Sequence, residues 1–245
     1  MPNPRIHIFE APGDVAAAVA RFLAASSEAR PRTTVALSGG STPRLLFQRL
    51  AEDYAERIDW SKMHFFWGDE RCVPPDHEDS NYGMTRKLLL EHIDIPETNV
   101  HRIRGEAVPR KEAHRYSAEV MELVPEENDL PAFDIVLLGL GEDGHTASIF
   151  PDQLSLLTAE AIAVPAHHPA TGRPRISLSG PVISNARHIA FLVTGAGKAE
   201  RVREVLLREG KWQGYPAAHI DARQGTLSWF LDRAAARHLP KKMRE

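Results

Sequence analysis

The chain has 245 residues, 42% of them hydrophobic, which is enough for a sizeable core and too apolar for a disordered protein. Its formal net charge is -3 with acids and bases interspersed, a balance that argues against electrostatic nucleic-acid binding. Cys72 is the only cysteine, so an internal disulfide is excluded; with no bilayer-length apolar run and no signal-peptide core, a cytoplasmic protein without membrane attachment is expected.

Taken in order, Arg5 to Phe9 reads as a short edge strand, and Val15, Val19, Phe22 and Leu23 recur at helical spacing until Pro31. Thr33 to Leu37 is a β-branched, apolar strand that runs into Ser38-Gly39-Gly40-Ser41-Thr42-Pro43, after which Leu46, Leu50 and Tyr54 share one helical face. Proline favours the first helical turn, so Ser41 or Thr42 is expected to cap the helix. Two glycines beside the free N–H groups of a helix start suit a phosphate, and they equally suit an ordinary capped turn.

Met63 to Trp67 is the third strand; it ends in Gly68-Asp69-Glu70-Arg71, which places charge at the same strand-end rim. The proline- and acid-rich stretch from Val73 to Ser80 reads as an exposed loop, and Asn81 precedes a helix through Met84, Leu88 and Leu89. A short strand over His101 to Arg104 and a helix over Arg110 to Leu123 follow.

Ile135 to Leu138 is an unbroken apolar run, the mark of a strand buried on both faces of a parallel sheet. It opens into Gly139-Leu140-Gly141-Glu142-Asp143-Gly144-His145, where Asp143 and His145 bring a carboxylate and an imidazole to one rim. The spacing Gly139-x-Gly141-x-x-Gly144 also fits a dinucleotide turn, but Pro151 leaves little room for the helix that should receive a pyrophosphate.

Further strands are expected over Ala161 to Val164, Arg175 to Leu178, His188 to Val193, Ala217 to Ile220 and Leu227 to Leu231, the last running into an Ala-rich helix. His167-His168-Pro169 reads as a loop with no third ligand at metal spacing. Thr194-Gly195-Ala196-Gly197-Lys198 mimics the tail of a nucleotide loop, yet the leading glycine position is Leu192; what remains is a lysine at a helix start. Alternating strands and helices without a linker predict one domain built on a doubly wound, mostly parallel α/β sheet with helices on both faces, Rossmann-like in plan.

Four strand ends therefore direct charged or phosphate-friendly groups to one side: Ser38 to Thr42, Asp69 to Arg71, Asp143 to His145, and Lys198. With no metal motif, no dinucleotide partner set and no Gly-x-Ser-x-Gly elbow, no cofactor is expected, and the pattern implies a site for a small phosphorylated molecule with histidine as acid or base.

At these residues, together with Trp67-Gly68-Asp69-Glu70-Arg71, Ser80-Asn81-Tyr82, Thr146 to Pro151 and Pro174 to Leu178, the chain resembles the 6-phosphogluconolactonases, within the wider group that includes the glucosamine-6-phosphate deaminases. The resemblance implies hydrolysis of 6-phosphogluconolactone, a small sugar-phosphate ester, to 6-phosphogluconate. Deaminases typically carry glutamate five residues after the histidine and Asp-Glu-Tyr earlier; here these positions hold Phe150 and Asp69-Glu70-Arg71, which favours the lactonase. His145 is then expected as general base, with Asp69 or Asp143 supporting it and Arg71 on the oxyanion or the phosphate. The phosphate falls to Ser38, Gly39, Gly40, Ser41 and Thr42, with Asn81, Arg175 and Lys198 also lining the pocket. A catalytically silent sugar-phosphate sensor is the reading from another class; such sensors usually carry a DNA-binding domain, for which no residues are left over. Cys72 is expected to pack as a small hydrophobe.

Overall fold

The computed structural model describes residues 4–244. In chain order it runs β1 (Arg5–Phe9), α1 (Pro12–Glu28), β2 (Thr33–Leu37), α2 (Ser41–Asp53), β3 (Met63–Trp67), β4 (Asp69–Arg71), α3 (Asn81–Leu88), β5 (Val100–His101) and α4 (Pro109–Leu123). It continues with β6 (Glu126–Glu127), β7 (Leu130–Pro131), β8 (Ile135–Leu138), β9 (Ala163–His167), β10 (Pro174–Leu178), α5 (Gly180–Ser184), β11 (His188–Val193), α6 (Ala199–Leu207), β12 (Thr226–Asp232) and α7 (Arg233–Ala236).

Seven strands form one parallel sheet in the order β1-β12-β11-β8-β2-β3-β5. Every residue of β2 and β8 is buried, as a strand covered on both faces requires. From β2 the chain steps outward through β3 to β5; it then returns to β8 on the other side of β2 and steps through β11 to β12. The direction of winding thus reverses between β2 and β8, whose register pairs Val35 with Ile135 and Ala36 with Val136. In open α/β sheets such a reversal leaves a crevice beyond the carboxyl ends of the strands, where ligands bind.

Side chains at the strand ends explain why the ladder stops where it does. The fully buried Tyr116 of α4 accepts from the Trp67 N–H at 2.8 Å and donates to the Trp67 carbonyl at 2.9 Å, closing β3 with a side chain instead of another strand. Trp229 of β12 stacks on Phe191 of β11 with ring centroids 4.1 Å apart, a contact worth about 0.5–1.5 kcal/mol beyond the area it buries. Asn128 and Asp129, both at positive φ, turn the β6–β7 hairpin; asparagine and aspartate tolerate that region better than other side-chain-bearing residues.

Four expectations need correction. Asp69 to Arg71, expected only as charge at the end of the third strand, is itself a strand: β4 pairs antiparallel with β10, which pairs antiparallel with β9, so these three form a second sheet apart from the central one. The strand expected at Ala161 to Val164 begins at Ala163 and extends through His167, which therefore leaves the loop assigned to it. The strand expected over His101 to Arg104 is only Val100–His101. Pro216–His219 is a turn of 3-10 helix, not a strand, because the proline at its start fixes a helical φ and supplies no ladder donor.

Candidate active site

The two turns that leave β2 and β8 face each other across the reversal point. After Leu37 the chain turns at Gly40, whose φ of 109° a side chain would strain, and α2 begins at Ser41. The cap is therefore Gly40 and not the hydroxyl of Ser41 or Thr42, and no side chain caps the helix. Thr42 instead bonds the Thr194 hydroxyl at 2.8 Å, tying the start of α2 to the end of β11. A Cβ on Gly39 would lie 1.8 Å from Asn81 Oδ1, so only glycine lets these two segments meet. The Ser38 hydroxyl is buried beside this turn without a partner. Unpaired amides at a helix start and an unpaired hydroxyl are an arrangement that an anion satisfies.

The turn after β8 is closed by its own backbone and by Thr146. Gly141 donates to the His145 carbonyl at 2.8 Å, Gly144 to the Gly141 carbonyl at 3.1 Å, and the Thr146 hydroxyl to the Gly139 carbonyl at 2.9 Å. Asp143 Oδ1 lies 2.5 Å from His145 Nδ1 and accepts the His145 backbone N–H at 3.1 Å. One carboxylate oxygen thus fixes both the ring and the residue that carries it. With Nδ1–H given to Asp143, Nε2 holds the lone pair. A Cβ on Gly141 would lie 2.1 Å from His145 Nδ1 and 2.4 Å from Asp143 Oδ1, so the dyad needs that glycine. Burial pushes the Asp143 carboxyl upward, but the hydrogen bond and charge of His145 outweigh it and hold the carboxyl below its ordinary value. The buried Phe150 ring packs against the imidazole with ring centroids 4.6 Å apart.

Asp69 belongs to a different group. Its Oδ2 accepts the Ser148 hydroxyl at 2.6 Å, while Asn81 Nδ2 donates to its carbonyl at 2.9 Å; no hydrogen bond joins it to the imidazole. Glu70, which is 1% exposed, accepts the backbone N–H groups of Arg71, Asn81 and Tyr82 and the Ser80 hydroxyl, and so anchors the start of α3 beside the cleft. Burial pushes its carboxyl up to about 7 against the pull of those N–H groups. Arg71 and Arg175 stand directly opposite each other on β4 and β10. Like charges in that position repel, and among the described residues neither guanidinium, nor Lys198, has a carboxylate within ion-pair reach. Arg71 donates to the Asp79 carbonyl at 2.6 Å; the Nε atoms of both arginines are buried without partners. Burial, then the charge of Arg71, press the Arg175 proton toward release, yet arginine keeps its charge in proteins, so the pair calls for an anion.

These groups line one cleft of about 220 Å³. Ser38, Gly39, Gly40, Ser41, Thr42, Asp69, Arg71, Asn81, His145, Arg175 and Lys198 all contribute to its wall, and Asp143 stands behind His145. Cys72 is not among the lining residues, and burial pushes its thiol up to about 11, the wrong direction for a nucleophile. Sequence reasoning missed Ser148 and Thr194, which hold Asp69 and Thr42, because a lone hydroxyl carries no spacing signal until the fold supplies its partner. It also missed Asp232, which accepts Gly195 N–H at 3.0 Å and so fixes the loop leading to Lys198.

Fold and cleft together define an α/β protein with a histidine–carboxylate dyad at a cleft lined by arginine and lysine, at the reversal point of its sheet. A match to the family described as glucosamine-6-phosphate isomerases/6-phosphogluconolactonase runs over residues 10–229, and the chain belongs to that family. A 6-phosphogluconolactonase of Haemophilus influenzae is 47% identical over 206 residues, covering 84% of this chain and 87% of the relative. One from Treponema pallidum is 43% identical over 203 residues, covering 81% and 83%. The solved 6-phosphogluconolactonase of Trypanosoma brucei matches with a TM-score of 0.86 at 32% identity, over 97% of this chain and 99% of that one. A monomeric glucosamine-6-phosphate deaminase matches with a TM-score of 0.81 at 21% identity over 95% and 99%, a likeness of fold alone.

Proposed function

We propose that the chain hydrolyses 6-phosphogluconolactone to 6-phosphogluconate, the reading supported by the names of its relatives and by the chemistry of the cleft. The observation that carries it is the 2.5 Å His145–Asp143 contact at a cleft that also holds cations without carboxylate partners. His145 Nε2 takes a proton from water as the water oxygen adds to the lactone carbonyl carbon. The carbonyl electrons move to oxygen, where the Arg71 guanidinium stabilises the oxyanion. Collapse breaks the bond to the ring oxygen, which receives the same proton back from Nε2. Asp143 keeps the ring oriented and balances the imidazolium, while Asp69, fixed by Ser148 and Asn81, orients the sugar hydroxyls. The Ser38 to Thr42 turn, Arg175 and Lys198 hold the phosphate. The deaminase reading is disfavoured by Phe150, an apolar ring against the imidazole where that group has a glutamate.

The test is the disappearance of freshly generated lactone, with the spontaneous opening rate subtracted and a chelator present. Wild-type protein accelerates it, and His145→Ala lowers kcat by about 10²–10⁴ with little change in KM. No acceleration, with ammonia released from glucosamine 6-phosphate in a parallel assay, establishes the deaminase instead.

A further inference from the structure

Behind the turn that carries the dyad, α6 presents Arg201, three residues past Lys198. Its Nε donates to the Glu142 carbonyl at 2.8 Å. Its Nη1 is shared between the Glu204 carboxylate and the Tyr215 hydroxyl, and the guanidinium lies 4.3 Å from the centroid of the Tyr215 ring. The same ring packs against Gly144, where an added Cβ would meet it at 2.5 Å, and the Gly144 carbonyl accepts the Ala217 N–H at 3.1 Å. The peptide that precedes Asp143 and the peptide that precedes His145 are thus held from outside the cleft, the first by Arg201 and the second by the segment that follows Tyr215.

We infer that Arg201 is a positioning residue for the His145–Asp143 dyad, a strut between α6 and the backbone of the catalytic turn. The Glu142 carbonyl belongs to the peptide whose nitrogen is that of Asp143, so fixing it restrains the direction in which the Asp143 side chain leaves the backbone. The Asp143 side chain is exposed and that of His145 partly so, and Gly144 between them sits at a φ of 87°. Burial alone does not hold them. The turn's internal hydrogen bonds leave the Glu142 carbonyl free, and Arg201 takes it. The guanidinium is itself preoriented by Glu204 and Tyr215, and a guanidinium held on several sides gives up little further freedom in making the contact. Because Lys198 immediately precedes that helix as its cap, the strut also references the dyad to the cleft's lysine.

The inference rests on the proposed lactonase reaction for its kinetic arm and on the protein alone for its spectroscopic arm. In Arg201→Met, which keeps length and packing but removes the donors, kcat for the lactone falls by about 10–100-fold with KM within about twofold, the cost of a small misplacement of the reacting groups. Arg201→Lys, which can donate to a carbonyl but not hold the fork, recovers part of that loss. The proton on His145 Nδ1 gives a downfield resonance in the free protein, assigned by its absence in His145→Asn; it broadens or vanishes in Arg201→Met. A folded Arg201→Met that keeps the resonance, or that loses activity only through KM, overturns the assignment. If wild-type protein does not hydrolyse the lactone, the proposed reaction fails and the resonance alone decides the strut. Should Arg201→Met not fold, Tyr215→Phe, which withdraws one support of the guanidinium, carries the same two measurements.

Discussion

Replacing Asp143 by asparagine separates what its charge does from what its shape does. Oδ1 of Asp143 accepts both the Nδ1–H and the backbone N–H of His145, so an asparagine oxygen at the same place keeps both contacts and the ring orientation. What disappears is the charge on the acceptor. A hydrogen bond to a charged group is worth about 1.5–3 kcal/mol against about 0.5–1.5 for a neutral one, a difference of about 1–2 kcal/mol. At about 1.4 kcal/mol per factor of ten this lowers kcat by about 5–30-fold, toward the low end because the Asp143 side chain is 42% exposed. Asp143→Ala removes orientation as well and costs about 10² or more. Against the upward push of burial, the hydrogen bond and charge of His145 hold the Asp143 carboxyl below its ordinary value, so the charge that Asp143→Asn removes is present throughout the neutral range. Initial rates of lactone disappearance, corrected for spontaneous opening, measure all of this. Equal losses in the two variants would refute the division between charge and orientation.

Arg175→Met removes one of two facing guanidiniums while keeping most of its apolar stem, so KM rises by about tenfold or more and the ligand-free protein melts about 2–4 °C higher, equivalent to ~1 kcal/mol of relieved repulsion. Calorimetry without ligand checks the second half; a lower melting temperature contradicts it. The stability of the fold also has an acid-sensitive element at β3. Burial, then the charge of Arg32 and of His101, lowers His64 to about 4. The unfolded chain therefore binds a proton that the folded one refuses, and stability present above the ordinary histidine range is lost as pH falls from there toward about 4. His64→Phe melts with a flatter dependence on pH, the difference being about 2–4 °C because the half-exposed ring is screened by solvent. Parallel slopes for the two proteins would remove His64 from the account.

The central strands were legible because a strand covered on both faces must be apolar throughout, and Thr33 to Leu37, Met63 to Trp67 and Ile135 to Leu138 nearly are. The second sheet was not, since β9 and β10 show the same short apolar runs as core strands and nothing local says that Ser177 will pair with Asp69 across so much sequence. The lining of the cleft was legible for a related reason: glycines and charges directly after buried strands have few structural uses. Which aspartate meets His145 was hidden, because Asp69 and Asp143 both stand at the rim, and their separation depends on Ser148 and Asn81 holding one of them back. The capping hydroxyl was misread because Thr194, the partner that draws Thr42 away, arrives from another strand.

The reversal of winding between β2 and β8 accounts for the division of labour better than any one residue. Neighbouring strands lie about 4.8 Å apart, so the turns that leave them are held side by side by the sheet itself. One turn ends in a helix start with unpaired amides, suited to a phosphate; the other is closed on itself and presents an imidazole with an oriented lone pair. In the proposed reaction, a ligand that carries an anion at one end and an ester at the other would be bound by the first turn and presented to the second. Neither turn could do this alone, and Arg71 and Arg175, which face each other with no carboxylate within ion-pair reach among the described residues, would only destabilise a fold that had no anion to receive. The sheet thus sets the distance, and the two turns, with the strut from α6 behind one of them, set the chemistry.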